Sequence, residues 1–366
     1  MLYFLFYNKC INYFKRVLLM LKRFIAVLLL LCAVLCFCGC DKVVDTDMGA
    51  VSEPTVSSTP EPENPYALNT LTGVFNLDKD KANLRPVAVM IDNDSLAQRN
   101  SQFSVSKADI VYETEIEAGI TRLMAVFSDI SKIGQIGDIR SARYVYVDLA
   151  MGHNAIYVHS GKDPTYCKPH LADLDNFEIT YGYYGKRIHY GNVMSWQELF
   201  TSGETLTKAF SDKKWKTTDD NKKTWQNFAK PEEKVTLSGA ANKATVGFNN
   251  VYISYFNYNA DTGLYTKTSK FTENYDRQDN SPYTVKNVFV LKTDMSMYPD
   301  NYRRKIDLVG GSGYYIVNGT YEEIKWKKGA STDSFVFTKA DGTPLTVNAG
   351  NSWVCIIKQS GKVSFE

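Results

Sequence analysis

The chain holds few of the residues that most metal and redox sites need. It has four histidines, His153, His159, His170 and His189, and no two at a helical metal-ligand spacing. It has seven cysteines and no Cys-x-x-Cys, so neither a zinc ribbon nor a thioredoxin-type site is indicated. Gly-x-Ser-x-Gly is absent. Gly310-Gly311-Ser312-Gly313 lacks the lysine of a phosphate-binding loop and reads as a turn. No cofactor or metal is therefore expected. Clustered Lys and Arg are also missing: 42 basic residues face 40 acidic ones. Nucleic acid is an unexpected partner, because binding phosphates requires concentrated positive charge.

The N-terminus is different. Residues 1–39 carry Lys9, Lys15, Arg16, Lys22 and Arg23 and no acid, which leaves a net charge of −3 from Cys40 onward. Met20-Leu21-Lys22-Arg23 is a short basic start, and Met20 is a second candidate for the first residue. Phe24 to Phe37 is apolar but short of the roughly 20 residues that cross a bilayer. It ends at Cys38-Gly39, directly before Cys40, which describes a secretory signal peptide over 1–39. The cysteine after the small pair resembles the bacterial lipobox. That resemblance implies that Cys40 is joined to membrane lipid and that the folded part lies on the extracytoplasmic face. An uncleaved N-terminal anchor is the alternative.

Residues 40–66 read as a lipidated N-terminus followed by a linker, with Pro54, Pro60, Pro62 and Pro65 among Ser, Thr and Glu. The remainder divides into two parts. Over 67–230 we expect a mixed α/β domain. Its strands are expected at Val87–Ile91, Ala108–Tyr112, Arg122–Phe127 and Ala155–His159, with helices at Arg140–Met151 and Trp196–Phe210. Residues 211–243 are polar and read as a surface excursion. Over 244–366 a mostly β domain is expected. Tyr252–Tyr258 and Leu264–Lys267 form a hairpin about Asn259-Ala260-Asp261-Thr262-Gly263, and strands follow at Val288–Leu291, Tyr314–Val317, Phe335–Thr338 and Trp353–Ile357. The fold class is α+β.

Several motifs in this order carry a family resemblance. They are Arg85-Pro86-Val87-Ala88-Val89-Met90-Ile91-Asp92-Asn93, Ala108-Asp109-Ile110-Val111-Tyr112-Glu113, Glu117-Ala118-Gly119-Ile120-Thr121-Arg122, Gly137-Asp138-Ile139-Arg140-Ser141-Ala142-Arg143 and Tyr157-Val158-His159-Ser160-Gly161. Together they resemble the YerB-like lipoproteins of Gram-positive bacteria, a family built on a domain of unknown function. Asn287-Val288, Gly311-Ser312-Gly313 and Gly350-Asn351-Ser352-Trp353 resemble its second domain. The resemblance implies a place at the cell envelope, near cell-wall synthesis, with peptidoglycan or a cell-wall synthase as partner.

Two constellations have chemical potential. Glu113, Glu115 and Glu117 follow a strand, and continued alternation would place them on one face. Neighbouring carboxylates raise one another's pKa, as general acids and glycosidases require. A solvated edge or pairing with arginines is the plainer reading. Arg122, Arg140 and Arg143 form the second set. On a helix Arg140 and Arg143 would share a face, and guanidinium forks grip carboxylates or phosphates. Internal pairing with Glu113 or Glu117 is an equal alternative. His159 and Asp92, both at strand ends, form an acid–base pair, half a metal site, or structural contacts. The preferred reading is a non-catalytic envelope module with ligand-binding residues Asp92, Arg122, Arg140 and Arg143. One rival is a wall hydrolase using Glu113, Glu117 and His159, and another is a solute-binding lipoprotein. Cys167 and Cys355 remain in the folded part, with a disulfide between them left open.

Overall fold

The computed structural model describes residues 64–366, apart from Tyr181. The signal region, Cys40 and nearly all of the linker lie outside the described residues. The described residues belong to one compact unit. It is an α+β fold, with its helices in the N-terminal half and a C-terminal half built almost wholly of strands.

The apolar run at Val87 forms a strand, Val87–Asp92, that is buried at every position. Such a run suits the middle of a sheet covered on both faces. Its antiparallel neighbour is Thr121–Phe127, which pairs in turn with Ile110–Glu115. On its other side Ile156–His159 runs parallel, followed by Asn176–Glu178. The sheet does not stop at the end of this half. Ser352–Lys358 lies parallel to Ile110–Glu115, in register from Ser352 opposite Ile110 to Ile356 opposite Thr114. Asn287–Thr293, Gly310–Val317 and Thr320–Lys327 continue it, giving a sheet of 11 strands. A second, five-stranded sheet is formed by residues of the C-terminal half, including the hairpin Ile253–Asn259 and Leu264–Ser269 and the last strand, Lys362–Phe365.

Each face of the large sheet carries its own core, and both halves feed each one. One face gathers Val89, Val111 and Leu123 with Phe256, Val290 and Trp353. The other gathers Met90, Tyr112 and Tyr146 with Phe289, Phe337 and Val354.

Four expectations need revision. Gly310-Gly311-Ser312-Gly313 is strand, not turn. A side chain at Gly313 would place its Cβ 2.0 Å from the Val290 carbonyl oxygen, so glycine lets the two backbones meet. The Arg140–Met151 helix begins only at Tyr144, and Arg143 is extended at φ −134°, ψ 148°. Of Trp196–Phe210, Leu199–Ser202 is strand and the helix starts at Gly203, where the Ser202 hydroxyl accepts the Thr205 N–H at 3.2 Å. The polar stretch 211–243 is not wholly superficial, for Trp225 is buried against Phe289 and Phe337.

Candidate functional site

Asp92 ends its strand opposite Arg122. Beside them the segment leading to Arg140 runs extended. Ile139 bridges to Ile91, and the Arg140 N–H donates to the Met90 carbonyl at 3.0 Å. The arginines therefore meet through strand ends and a crossing segment rather than along a helix. Arg140 Nε lies 3.0 Å from Asp92 Oδ2, and its Nη1 donates to the Trp196 carbonyl at 2.8 Å. Arg143 Nε donates to Glu117 Oε2 at 2.7 Å, and its Nη2 pairs with Glu117 Oε1. Arg122 sits beneath, with Nη2 3.8 Å from Glu117 Oε1, Nη1 donating to the Ser141 carbonyl at 3.1 Å, and Nε buried without a partner.

The three differ in exposure. The side chain of Arg122 is 4% exposed, against 19% for Arg140 and 16% for Arg143. Burial, reinforced by the charges of Arg143 and Arg140, pushes Arg122 down to about 10 despite Asp92 and Glu117. Burial works to raise the Glu117 carboxyl, but the Arg143 hydrogen bonds and the two guanidinium charges outweigh it and hold it below its ordinary value. Asp138 completes the cluster. It is fully buried, and neither carboxylate oxygen has a hydrogen-bond partner. Burial and the nearby Asp92 charge hold its carboxyl well above the usual range, against the pull of Arg140. Three guanidinium groups thus converge on Asp92 and Glu117, with Asp138 held toward its neutral form beside them. Planar forks of this kind suit carboxylate or phosphate oxygens.

The acidic triplet does not share a face. Ile110–Glu115 is the last extended stretch, Ile116 turns at φ −115°, ψ −129°, and Glu117–Gly119 is a short 3-10 turn. Glu113 points into the face that holds Trp353. It accepts from Asn93 Nδ2 at 2.9 Å, Trp353 Nε1 at 3.0 Å, and the Thr121 and Ser254 hydroxyls at 3.2 Å each. Lys267, 1% exposed, lies near Glu113 with its ammonium 5.0 Å from the Trp353 ring centre. Glu115 pairs with Arg304 and accepts from Asn249 Nδ2 at 3.0 Å. Glu117 belongs to the arginines.

His159 joins none of these carboxylates. It is fully buried, with Nδ1 2.8 Å from the Gly161 carbonyl and Nε2 3.3 Å from Asn176 Oδ1, and burial lowers its pKa. Nor does it meet Asp92, whose Oδ1 accepts the Asn93 and Asp94 N–H groups. Cys167 and Cys355 are both free and buried. Sequence reasoning missed Asp138, Asn93, Lys267 and Arg304. The signal for Asp138 was an acid set directly before the apolar Ile139 in a stretch rich in arginine.

Two family models match the chain: the N-terminal domain of a protein of unknown function (DUF3048) over residues 71–216, and its C-terminal domain over 244–354. The protein is 28% identical over 284 residues to YerB of Bacillus subtilis (strain 168), whose name carries the word lipoprotein; the alignment spans 75% of this chain and 81% of YerB. The crystal structure of Bacillus subtilis YerB superposes with a TM-score of 0.70 at 28% identity, covering 81% of this chain and 99% of the crystallised one. With both domains present in order and the fold shared, the chain belongs to the YerB-like family.

Proposed function

We propose that this protein is a lipid-anchored lipoprotein of the cell envelope. Its folded part stands on the extracytoplasmic face and binds cell-wall material through the arginine cluster, without catalysing a reaction. The anchor rests on Cys40 following Cys38-Gly39 at the end of an apolar segment, and on the lipoprotein name of YerB. No helix among the described residues is long and apolar enough to cross a membrane. The observation that carries the binding role is the convergence of three guanidinium groups, of which Arg140 and Arg143 still reach the surface. The acidic groups of peptidoglycan peptides suit such planar forks.

The test incubates residues 64–366 with purified peptidoglycan, pellets the wall and analyses the supernatant. Co-sedimentation that weakens in Arg140→Ala and Arg143→Ala supports the reading. New soluble fragments would make the protein a hydrolase. Protein left in the supernatant would turn the search to a wall-synthesis protein. Cys40→Ala should release the full chain from membranes, and a variant that stays bound contradicts the anchor.

A further inference from the structure

A groove separate from the arginine cluster opens beside the ends of Ile110–Glu115 and Ser352–Lys358. It consists of two adjoining cavities that share Asn249, Asn250 and Lys358. The first, of about 420 Å³, has the Glu115–Arg304 ion pair in its wall and three large apolar side chains open to solvent: Val251 at 53%, Tyr302 at 50% and Met297 at 39% exposed. The second, of about 710 Å³, is lined by Lys292, Lys358 and Lys362 and by no acidic residue.

Three lysines with no acid among them mark this groove. From Cys40 onward the chain is nearly neutral, and Lys107, Lys162 and Lys208 elsewhere on the surface pair with Asp279, Glu178 and Asp212. Lys358 and Lys362 are exposed and make no ion pair among the described residues, and the Lys292 ammonium rests 5.6 Å from the Tyr314 ring centre. Unpaired like charges brought together on one wall repel one another, and an anion in the groove relieves that repulsion. The other end offers different chemistry. A half-exposed tyrosine beside hydrogen-bonding amides suits the C–H face of a sugar ring, with its hydroxyls directed to the polar wall.

We infer that this groove binds an acidic glycan. Its sugar rings pack at the Tyr302 end, and its carboxylate or phosphate groups lie over Lys292, Lys358 and Lys362. The inference deepens the proposed function and rests on it for the envelope setting in which such a glycan is met. The groove and the arginine cluster share no residue, so the two ideas fail separately.

The experiment measures fluorescence anisotropy of labelled oligogalacturonate, a carboxylated glycan, with residues 64–366. This part forms one compact unit and spans 99% of the YerB chain that was crystallised. The expected result is saturable binding that weakens about tenfold in the Lys358→Ala/Lys362→Ala double variant, a change of about 1.4 kcal/mol. Tyr302→Ala should weaken oligogalacturonate but not polyglutamate, which has the charge without the sugar. Lys208→Ala, a surface lysine outside the groove, should leave binding unchanged. All three substituted groove side chains are exposed, so the variants keep the fold. Absence of binding, polyglutamate binding as tightly as the glycan with Tyr302→Ala silent, or binding confined to phosphatidylglycerol vesicles would each overturn the proposal.

Discussion

Two buried polar networks occupy the same end of the large sheet and are built to different ends. Around Glu113 every partner is enclosed. Asn93, Thr121, Ser254, Lys267 and Trp353 are all buried, and three of the five come from the other half of the sequence. Around Arg122 the partners are mostly local, drawn from residues 92–143, and two guanidinium groups reach solvent. A sealed network can only hold the fold together. An open one, with Arg140 and Arg143 partly exposed, has the freedom to exchange an internal partner for an external one. The same residue types thus separate into a sealed and an open arrangement by where their free edges point.

The sharpest way to break this contrast is Glu113→Ala. It leaves Lys267 buried without its counter-charge and removes the acceptor for Trp353 Nε1. We expect a loss of about 3–5 kcal/mol in denaturant unfolding, and a loss below about 1 kcal/mol would mean that the network is not a fastening. A second sealed contact gives a pH test. The Tyr112 hydroxyl and His153 Nε2 share a hydrogen bond at 2.7 Å, and burial pushes His153 down to about 3. Its folded pKa lies below its unfolded one. This stabilisation is therefore complete above about pH 6.5 and is lost as pH falls through about 3, at most on the order of 5 kcal/mol. His153→Gln should flatten that part of the stability profile, and an unchanged slope would place the titration elsewhere.

For the open network the effects move from stability to binding. Arg140→Ala should weaken wall binding by about 1–3 kcal/mol, the range for a charge-assisted hydrogen bond, while the melting temperature changes little. A large drop in melting temperature would reassign Arg140 to the fastening side. The smallest effect is expected from Lys107→Ala. Its pair with Asp279 also links the two halves, but both side chains are 42% exposed. Pairs of this kind contribute less than about 1 kcal/mol, and less still in high salt.

These differences also explain what the sequence could reveal. Val87–Ile91 declared itself as a continuous apolar run, and the hairpin around Asn259–Gly263 by its turn residues, because both signals are local. Arg122, Arg140, Arg143 and Asp92 were legible as candidates, and pairing with Glu117 was one of two open readings. The shared face proposed for Glu113, Glu115 and Glu117 failed at Ile116, where the strand ends and the chain turns. Nothing near Glu113 could indicate that its partner indole lies at Trp353, 240 positions along. Nor could it show that a parallel strand from the far end of the chain fills the space beside Ile110–Glu115.

That far strand carries a consequence for the order of events during folding. Thr114 in Ile110–Glu115 and Ile356 in Ser352–Lys358 are 242 positions apart, yet the two strands pair in the middle of the sheet. A chain emerging N-terminus first presents Ile110–Glu115 with one side unpaired until Ser352–Lys358 has also emerged. Contacts this distant in sequence form late and slowly. Throughout that interval the nascent chain offers an open strand edge, the kind of surface that pairs with the wrong neighbour. The requirement falls on whatever receives the emerging chain: it has to shield that edge until Ser352–Lys358 arrives.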